Sequence, residues 1–262
     1  MKKSIYVIAL VIFVLLLDQA LKIWVKTNMV YGGEIPIFGD WGLLHFVENP
    51  GMAFGLSIGG EYGKLALSLF RIVAVGFLIY YLRFLIQAKA SAGLLTSFAL
   101  ILAGAIGNII DSAFYGLIFS DSHHGGIATM FPEGGGYASF LHGRVVDMLY
   151  FPLLDGYFPD WVPIWGGDYF LFFRPVFNIA DVSITVGVLS ILVFHRNFFS
   201  SAHEETAGSQ EAVASSTAVV GKATAGGDAV AIAVAVDAVV TEVMYSDETV
   251  DDLEDVIVPD EE

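Results

Sequence analysis

The stretch Ile5–Val25, IYVIALVIFVLLLDQALKIWV, decides the fold. Apart from Asp18, Gln19 and Lys22 it is apolar throughout. Its length suits the roughly 20-residue helix that crosses a hydrocarbon core about 30 Å thick. Working outward, three more windows of that kind follow: Leu65–Ile86 with Arg71 and Arg83, Ser91–Ile110 with no formal charge, and Val176–Phe194 with Asp181 alone. Lys2 and Lys3 before an apolar run also fit a secretory leader, but Leu17-Asp18-Gln19-Ala20 is no small-x-small cleavage site and the helical pattern continues through Trp24. Composition agrees with a membrane protein, since 56% of the 262 residues are hydrophobic and only 15% charged, against roughly 25% charged in soluble chains.

The net charge of −16 is concentrated at one end. Residues 203–262 hold 15 acids with Lys222 as the only Lys or Arg, which leaves 13 acids against 11 bases over residues 1–202. The body therefore has no basic face for phosphates, and nucleic-acid binding is excluded as a main function. The tail, 201–262, is expected to be an acidic, disordered cytoplasmic segment. Absence of cysteine removes disulfides and thiolate chemistry.

Lysine and arginine are retained on the cytoplasmic side of short loops. Lys2 and Lys3, Arg83 and Lys89, and His195-Arg196 all fall on that side if both termini are cytoplasmic. The segments of about Thr27–Gly63 and Ser112–Pro175 are then extracytoplasmic. Short alternating runs in 35–56 predict a small surface sheet. Trp161, Trp165 and Tyr169 predict an interfacial cap at headgroup level. The expected fold is an all-α membrane protein of four transmembrane helices with a small extracytoplasmic β-sheet and that cap.

A carboxylate in hydrocarbon costs at least a few kcal/mol, so each intramembrane acid is a functional hypothesis. Asp18 lies late in the outward-running first span, Asn108 and Asp111 close the third, and Asn178 and Asp181 open the inward-running fourth, with Asp147 in the loop before it. Separate helices thus bring carboxylates to one depth near the outer leaflet. Asp18 with Lys22, Asn108 with Asp111 and Asn178 with Asp181 have spacings that allow pairing across one turn. Helix–helix glue or interfacial snorkelling is the competing account of these pairs. Two acids held close in a partly dry site share a proton near neutral pH, so one accepts a proton from water while the other donates to a carbonyl oxygen or leaving amine. That is peptide hydrolysis without Ser, Cys or metal.

Five segments carry a family resemblance: Asp18-Gln19 with Lys22; Glu48-Asn49-Pro50-Gly51-Met52-Ala53-Phe54-Gly55; Gly107-Asn108-Ile109-Ile110-Asp111; Gly143-Arg144-Val145-Val146-Asp147; and Phe177-Asn178-Ile179-Ala180-Asp181. In this order, over about residues 1–196, they resemble the five motifs of bacterial lipoprotein signal peptidase, also called signal peptidase II. The resemblance implies an aspartic intramembrane endopeptidase that removes the signal peptide of a diacylglyceryl-modified prolipoprotein in the bacterial cytoplasmic (inner) membrane, with membrane lipids around it. It makes Asp147 and Asp181 the catalytic pair. Asn49, Gly51, Asn108, Asp111, Asn178 and Ala180 stand at positions around substrate and pair, with Asp18, Lys22 and Arg144 in support. No cofactor is implied. One departure is chemical: the family usually has Arg after the acid ending the third motif, whereas this chain has Ser112, and Arg144 and Arg174 are the candidates for that charge. The other is length, since 120–142 and 150–175 exceed the usual connections.

Three other readings fit the sequence less well. His123, His124 and His142 in a Gly-rich loop lack a metal-ligand spacing. A proton-coupled transporter needs acids staggered across the bilayer rather than gathered at one level. A scaffold recruiting partners through its acidic tail leaves the buried acids without a role.

Overall fold

The structure, a computed structural model, describes residues 2–39, 41–50, 60–159, 161–172 and 175–195. Gly51, Arg174 and the acidic tail lie outside the described residues. Among the described residues, four long helices carry the fold: α1 (Lys2–Asn28), α2 (Gly60–Gln87), α3 (Ala92–Ile118) and α4 (Ile179–Phe194). The first three are long and apolar enough to cross a membrane, and the fourth is a shorter apolar helix. Exposed Ile5, Ile8, Ile12, Phe13 and Leu16 on α1 suit a lipid environment, where backbone polar groups must be satisfied within the helix.

Helix ends differ from the expected windows for identifiable reasons. α3 continues past Ile110 because one wide π turn, Asp111–Tyr115, replaces an ordinary turn without ending the helix. α4 begins at Ile179 because Val176–Phe177 enters a sheet and Asn178 caps the helix. At 16 residues α4 is about 24 Å long.

Two sheets follow. Strands β1 (Glu34–Pro36), β2 (Leu43–Asn49), β3 (Val145–Tyr150) and β6 (Val176–Phe177) pair antiparallel in the order β1-β2-β3-β6. β4 (Leu154–Tyr157) and β5 (Tyr169–Phe172) form a separate hairpin. In β2 every second residue, Leu44, Phe46 and Glu48, is buried, as expected when one sheet face packs on a core.

Apolar packing among the described residues falls into two clusters. One joins Leu78, Leu82 and Leu85 of α2 to Leu95, Phe98 and Leu102 of α3 and Ile184, Val188 and Ile191 of α4. The other joins Val25 of α1 and Met29 just after it, Leu44 and Phe46 of β2, Val146 and Met148 of β3, and Tyr115 and Phe119. Asp18 and Lys22 on α1, and Asn108 and Asp111 on α3, fall in sequence between the two. At the bundle's far end Lys3 Nζ donates to Ala90 O at 2.6 Å and to Lys89 O at 3.2 Å, and His195 lies against Gly93. Lys3, the α2–α3 turn and the end of α4 thus share one end, and the sheet occupies the other.

Candidate active site

The polar centre is built around Lys22. Its buried ammonium lies 3.0 Å from Asp18 Oδ2, 2.8 Å from Asp111 Oδ2 and 2.9 Å from Asn108 Oδ1, so all three of its N–H bonds have acceptors. The i,i+4 pairing of Asp18 and Lys22 is present, whereas Asn108 and Asp111 meet on this ammonium instead of with each other. Asp18 also bridges helices, because its Oδ1 accepts the Ala180 N–H at the start of α4 at 2.9 Å. Close helix approach makes this possible: a Cβ on Gly107 would lie 2.8 Å from Asp18 Oδ2 and 3.2 Å from Ala180 Cβ. Small residues at such contacts let membrane helices approach.

The Asn178–Asp181 spacing resolves into a reciprocal helix cap. Asn178 Oδ1 accepts the Asp181 N–H at 2.9 Å, while Asp181 Oδ2 accepts the Asn178 N–H at 3.1 Å. The other Asp181 oxygen, Oδ1, accepts Asn108 Nδ2 at 2.8 Å. Asn178 Nδ2 donates to Asp147 Oδ1 at 2.6 Å and lies 3.3 Å from Asn108 Oδ1. Two asparagines therefore tie Asp147 and Asp181 together. Burial, then the charge of Asp181, hold the Asp147 carboxyl well above the usual carboxylate range.

Asp147 owes its place to β3 and to the π turn. The wide turn leaves Ser112 O and Ala113 O to accept the N–H groups of Gly143 at 2.8 Å and Leu141 at 3.3 Å. A Cβ on Gly143 would collide with Asp111 O, so only glycine lets the chain pack this closely before Arg144. Asp111 Oδ2 then accepts the Val146 N–H at 3.2 Å, one residue before Asp147. On its other side, Asp147 pairs in register with Val47 of β2.

The family model described as Signal peptidase (SPase) II matches residues 10–197. The chain belongs to the signal peptidase II family. A lipoprotein signal peptidase of Porphyromonas gingivalis is 56% identical over 188 residues, which is 71% of this chain and 81% of that one. One from Amoebophilus asiaticus is 43% identical over 73% of this chain and 77% of its own. A solved bacterial membrane enzyme aligns over 72% of this chain and 90% of its own, at 25% identity and TM-score 0.46.

The remaining named residues separate. Ala180 and Asp18 join the cluster, and Asn49 ends β2 opposite Val145. Arg144 does not face the aspartates: its Nη1 donates to Glu48 Oε2 at 2.6 Å and Asp121 Oδ1 at 3.0 Å. It forms a second buried cluster with Lys26, which pairs with Glu48 and donates to Ser122 Oγ at 2.8 Å. Arg144 stacks on Tyr137, 4.4 Å from the ring centre, and its N–H donates to the Tyr137 hydroxyl at 2.7 Å. Hydrogen bonding from Arg144 draws the Asp121 carboxyl down to about 2.

Glu48, Asp121 and His123 place possible ligand atoms within 4.8 Å of one another. Both carboxylates already neutralise Lys26 and Arg144, so a divalent ion would have to displace them. His124 is exposed, and His142 bonds within its own loop to Ser139 and Phe140 O. Two residues outside the expected site set contribute as well. Gln19 Nε2 donates to Asp111 Oδ1 at 2.8 Å. Arg71 of α2, registered only as a charge in a span, reaches Ser112 Oγ at 3.4 Å, while Arg144, proposed for that charge, is committed elsewhere.

Proposed function

We propose that the chain is an intramembrane aspartic endopeptidase that removes the signal peptide from diacylglyceryl-modified prolipoproteins at the outer face of the bacterial cytoplasmic membrane. The observation that carries this reading is the joining of Asp147 and Asp181 through Asn108 and Asn178 in a cluster rich in acid. Family membership and relatives named lipoprotein signal peptidase supply the substrate class.

Roles follow from the partners. Asp181 accepts two hydrogen bonds and sits in the first turn of α4, where the helix dipole favours negative charge, so it is the base. Asp147, raised by burial, keeps a proton and is the acid. Asp181 takes a proton from water as its oxygen attacks the scissile carbonyl, and Asp147 gives its proton to the carbonyl oxygen. When the resulting diol collapses, a diol hydroxyl returns a proton to Asp147 and Asp181 delivers its own to the departing amine. Four spans with both termini cytoplasmic suit the grouping of Lys3, the α2–α3 turn and His195 at the end away from the sheet. A proton-relay transporter finds no support in acids gathered in one hydrogen-bonded cluster.

The test is incubation of the purified protein with a diacylated lipobox peptide and its unlipidated twin. Cleavage of the lipidated peptide alone is expected, with Asp147→Asn and Asp181→Asn each reducing it about 10²–10⁴-fold. Normal turnover by either variant would overturn the assignment.

A further inference from the structure

The charge balance around the pair points to α2. Asp18, Asp111, Asp147 and Asp181 contribute four carboxylates to one cluster, and Lys22 spends its hydrogen bonds on Asp18, Asp111 and Asn108. Even with one proton on the pair, a single ammonium leaves two negative charges uncompensated in a buried site. Arg71 is 8% exposed, and the acids whose charges act on it are Asp181, Asp111 and Asp147. Its Nη1 donates to Ser112 Oγ at 3.4 Å, and Ser112 in turn donates to Asn108 O at 3.0 Å. One turn earlier on the same face of α2, Ser68 donates to Leu141 O at 3.1 Å, in the loop that leads to β3. That face of α2 is thus docked on the aspartates' supporting frame. A guanidinium inside an apolar helix costs several kcal/mol unless acids receive it.

We propose that Arg71 is a positioning residue for the hydrolytic reaction: delivered from α2 beside Ser112, its guanidinium supplies the second positive charge of the four-aspartate cluster and holds Asp181 ionised toward the attacking water. The inference rests on the assignment of Asp147 and Asp181 as the working pair. It acts through that pair, so loss of Arg71 slows the chemical step and raises the pH at which the base becomes available. Other charged groups facing this region are Asp18 and Lys22 on α1, Asp111 on α3 and Lys64 on α2. None of them changes in the variants below.

The experiment measures pH profiles of lipopeptide cleavage and thermal midpoints for the purified full chain carrying Arg71→Met, Arg71→Lys, or Arg71→Met with Ser112→Arg. Arg71→Met is expected to lower kcat about 10-fold or more and to move the acid limb of the profile up by about one pH unit, the size of shift a lost opposite charge produces. Arg71→Lys keeps the limb near its original position. The combined variant, which returns a guanidinium from the neighbouring position, moves the limb back; a merely structural arginine would not be rescued that way. If Arg71→Met does not fold, the combined variant alone decides, by folding with a restored limb or not. An unmoved limb in folded Arg71→Met, or a folded combined variant with no restoration, overturns the proposal. Asp181→Asn run alongside separates the two claims, because normal cleavage by that variant sinks the pair itself, whereas an inactive Asp181→Asn with an unmoved Arg71→Met limb sinks only the role of Arg71.

Discussion

Lys22 and Lys26 stand one turn apart on α1, both fully buried, and each anchors a charge cluster of its own. Around Lys26 the account closes: Glu48 and Asp121 face Lys26 and Arg144, two charges of each sign. Around Lys22 it does not, since four aspartates face Lys22 and Arg71. A balanced cluster of this kind holds elements together and has no reason to exchange protons. A surplus of carboxylate in a buried place must take up a proton, and the group that takes it becomes an acid ready to give it back. In the proposed reading one helix therefore carries a clamp and a reactive centre side by side, and the sign of the residual charge distinguishes them.

The largest effect should come from removing the ammonium of the reactive centre. Lys22→Met leaves Asp18 and Asp111 buried without their cation, and breaking such a pair costs about 3–5 kcal/mol. Thermal unfolding in detergent should show a large drop in midpoint, with peptide cleavage lost even in the folded fraction. Adding Asp18→Asn should recover part of the stability and none of the activity, because Ala180 keeps an acceptor while the pair stays short of positive charge. Recovered cleavage in that double variant would break the distinction between the two clusters.

The clamp should behave differently. Lys26→Met or Glu48→Gln alone should cost about 3 kcal/mol, since each strands a buried partner. Together they remove both charges of one pair and leave Arg144 with Asp121, so the double variant should regain all but about 1 kcal/mol and retain most of its cleavage. A double variant that is folded yet inactive would show that the Lys26 cluster belongs to the chemistry.

How much of this was legible beforehand follows the same division. The acids of the reactive centre stood out because hydrocarbon penalises each one and their depth along the spans can be counted. Asp18, Lys22, Asn108, Asp111, Asn178 and Asp181 do share one hydrogen-bonded network. Their individual bonds were less legible. The Asn178–Asp181 spacing fits both a pair along a helix and a cap at its start, and only the strand at Val176–Phe177 decides where the helix begins. Likewise the π turn at Asp111 is invisible to a 3.6-residue period, yet it aims Asp111 at Lys22 and frees carbonyls for Gly143. The Lys26 cluster joins residues 22 and 96 positions apart, and Arg71 approaches Ser112 across 41, so no local pattern announced either.

The smallest predicted effect contrasts the clusters by the sign of their pH dependence. Asp121 has a folded value of about 2 against 3.8 for a free aspartate, so its contribution is complete above about pH 4 and is lost as pH falls toward 2. Asp147 is shifted the other way: its contribution is complete below the free value and is lost as pH rises through its elevated folded value. Asp121→Asn should flatten the acid side of a stability–pH curve by well under about 1 kcal/mol, because the group is partly exposed and screened. Asp147→Asn should leave that side unchanged and remove the decline at higher pH. Measured curves in which the two variants flatten the same side would mean that clamp and reactive centre titrate as one unit, and the contrast between Lys22 and Lys26 would fail.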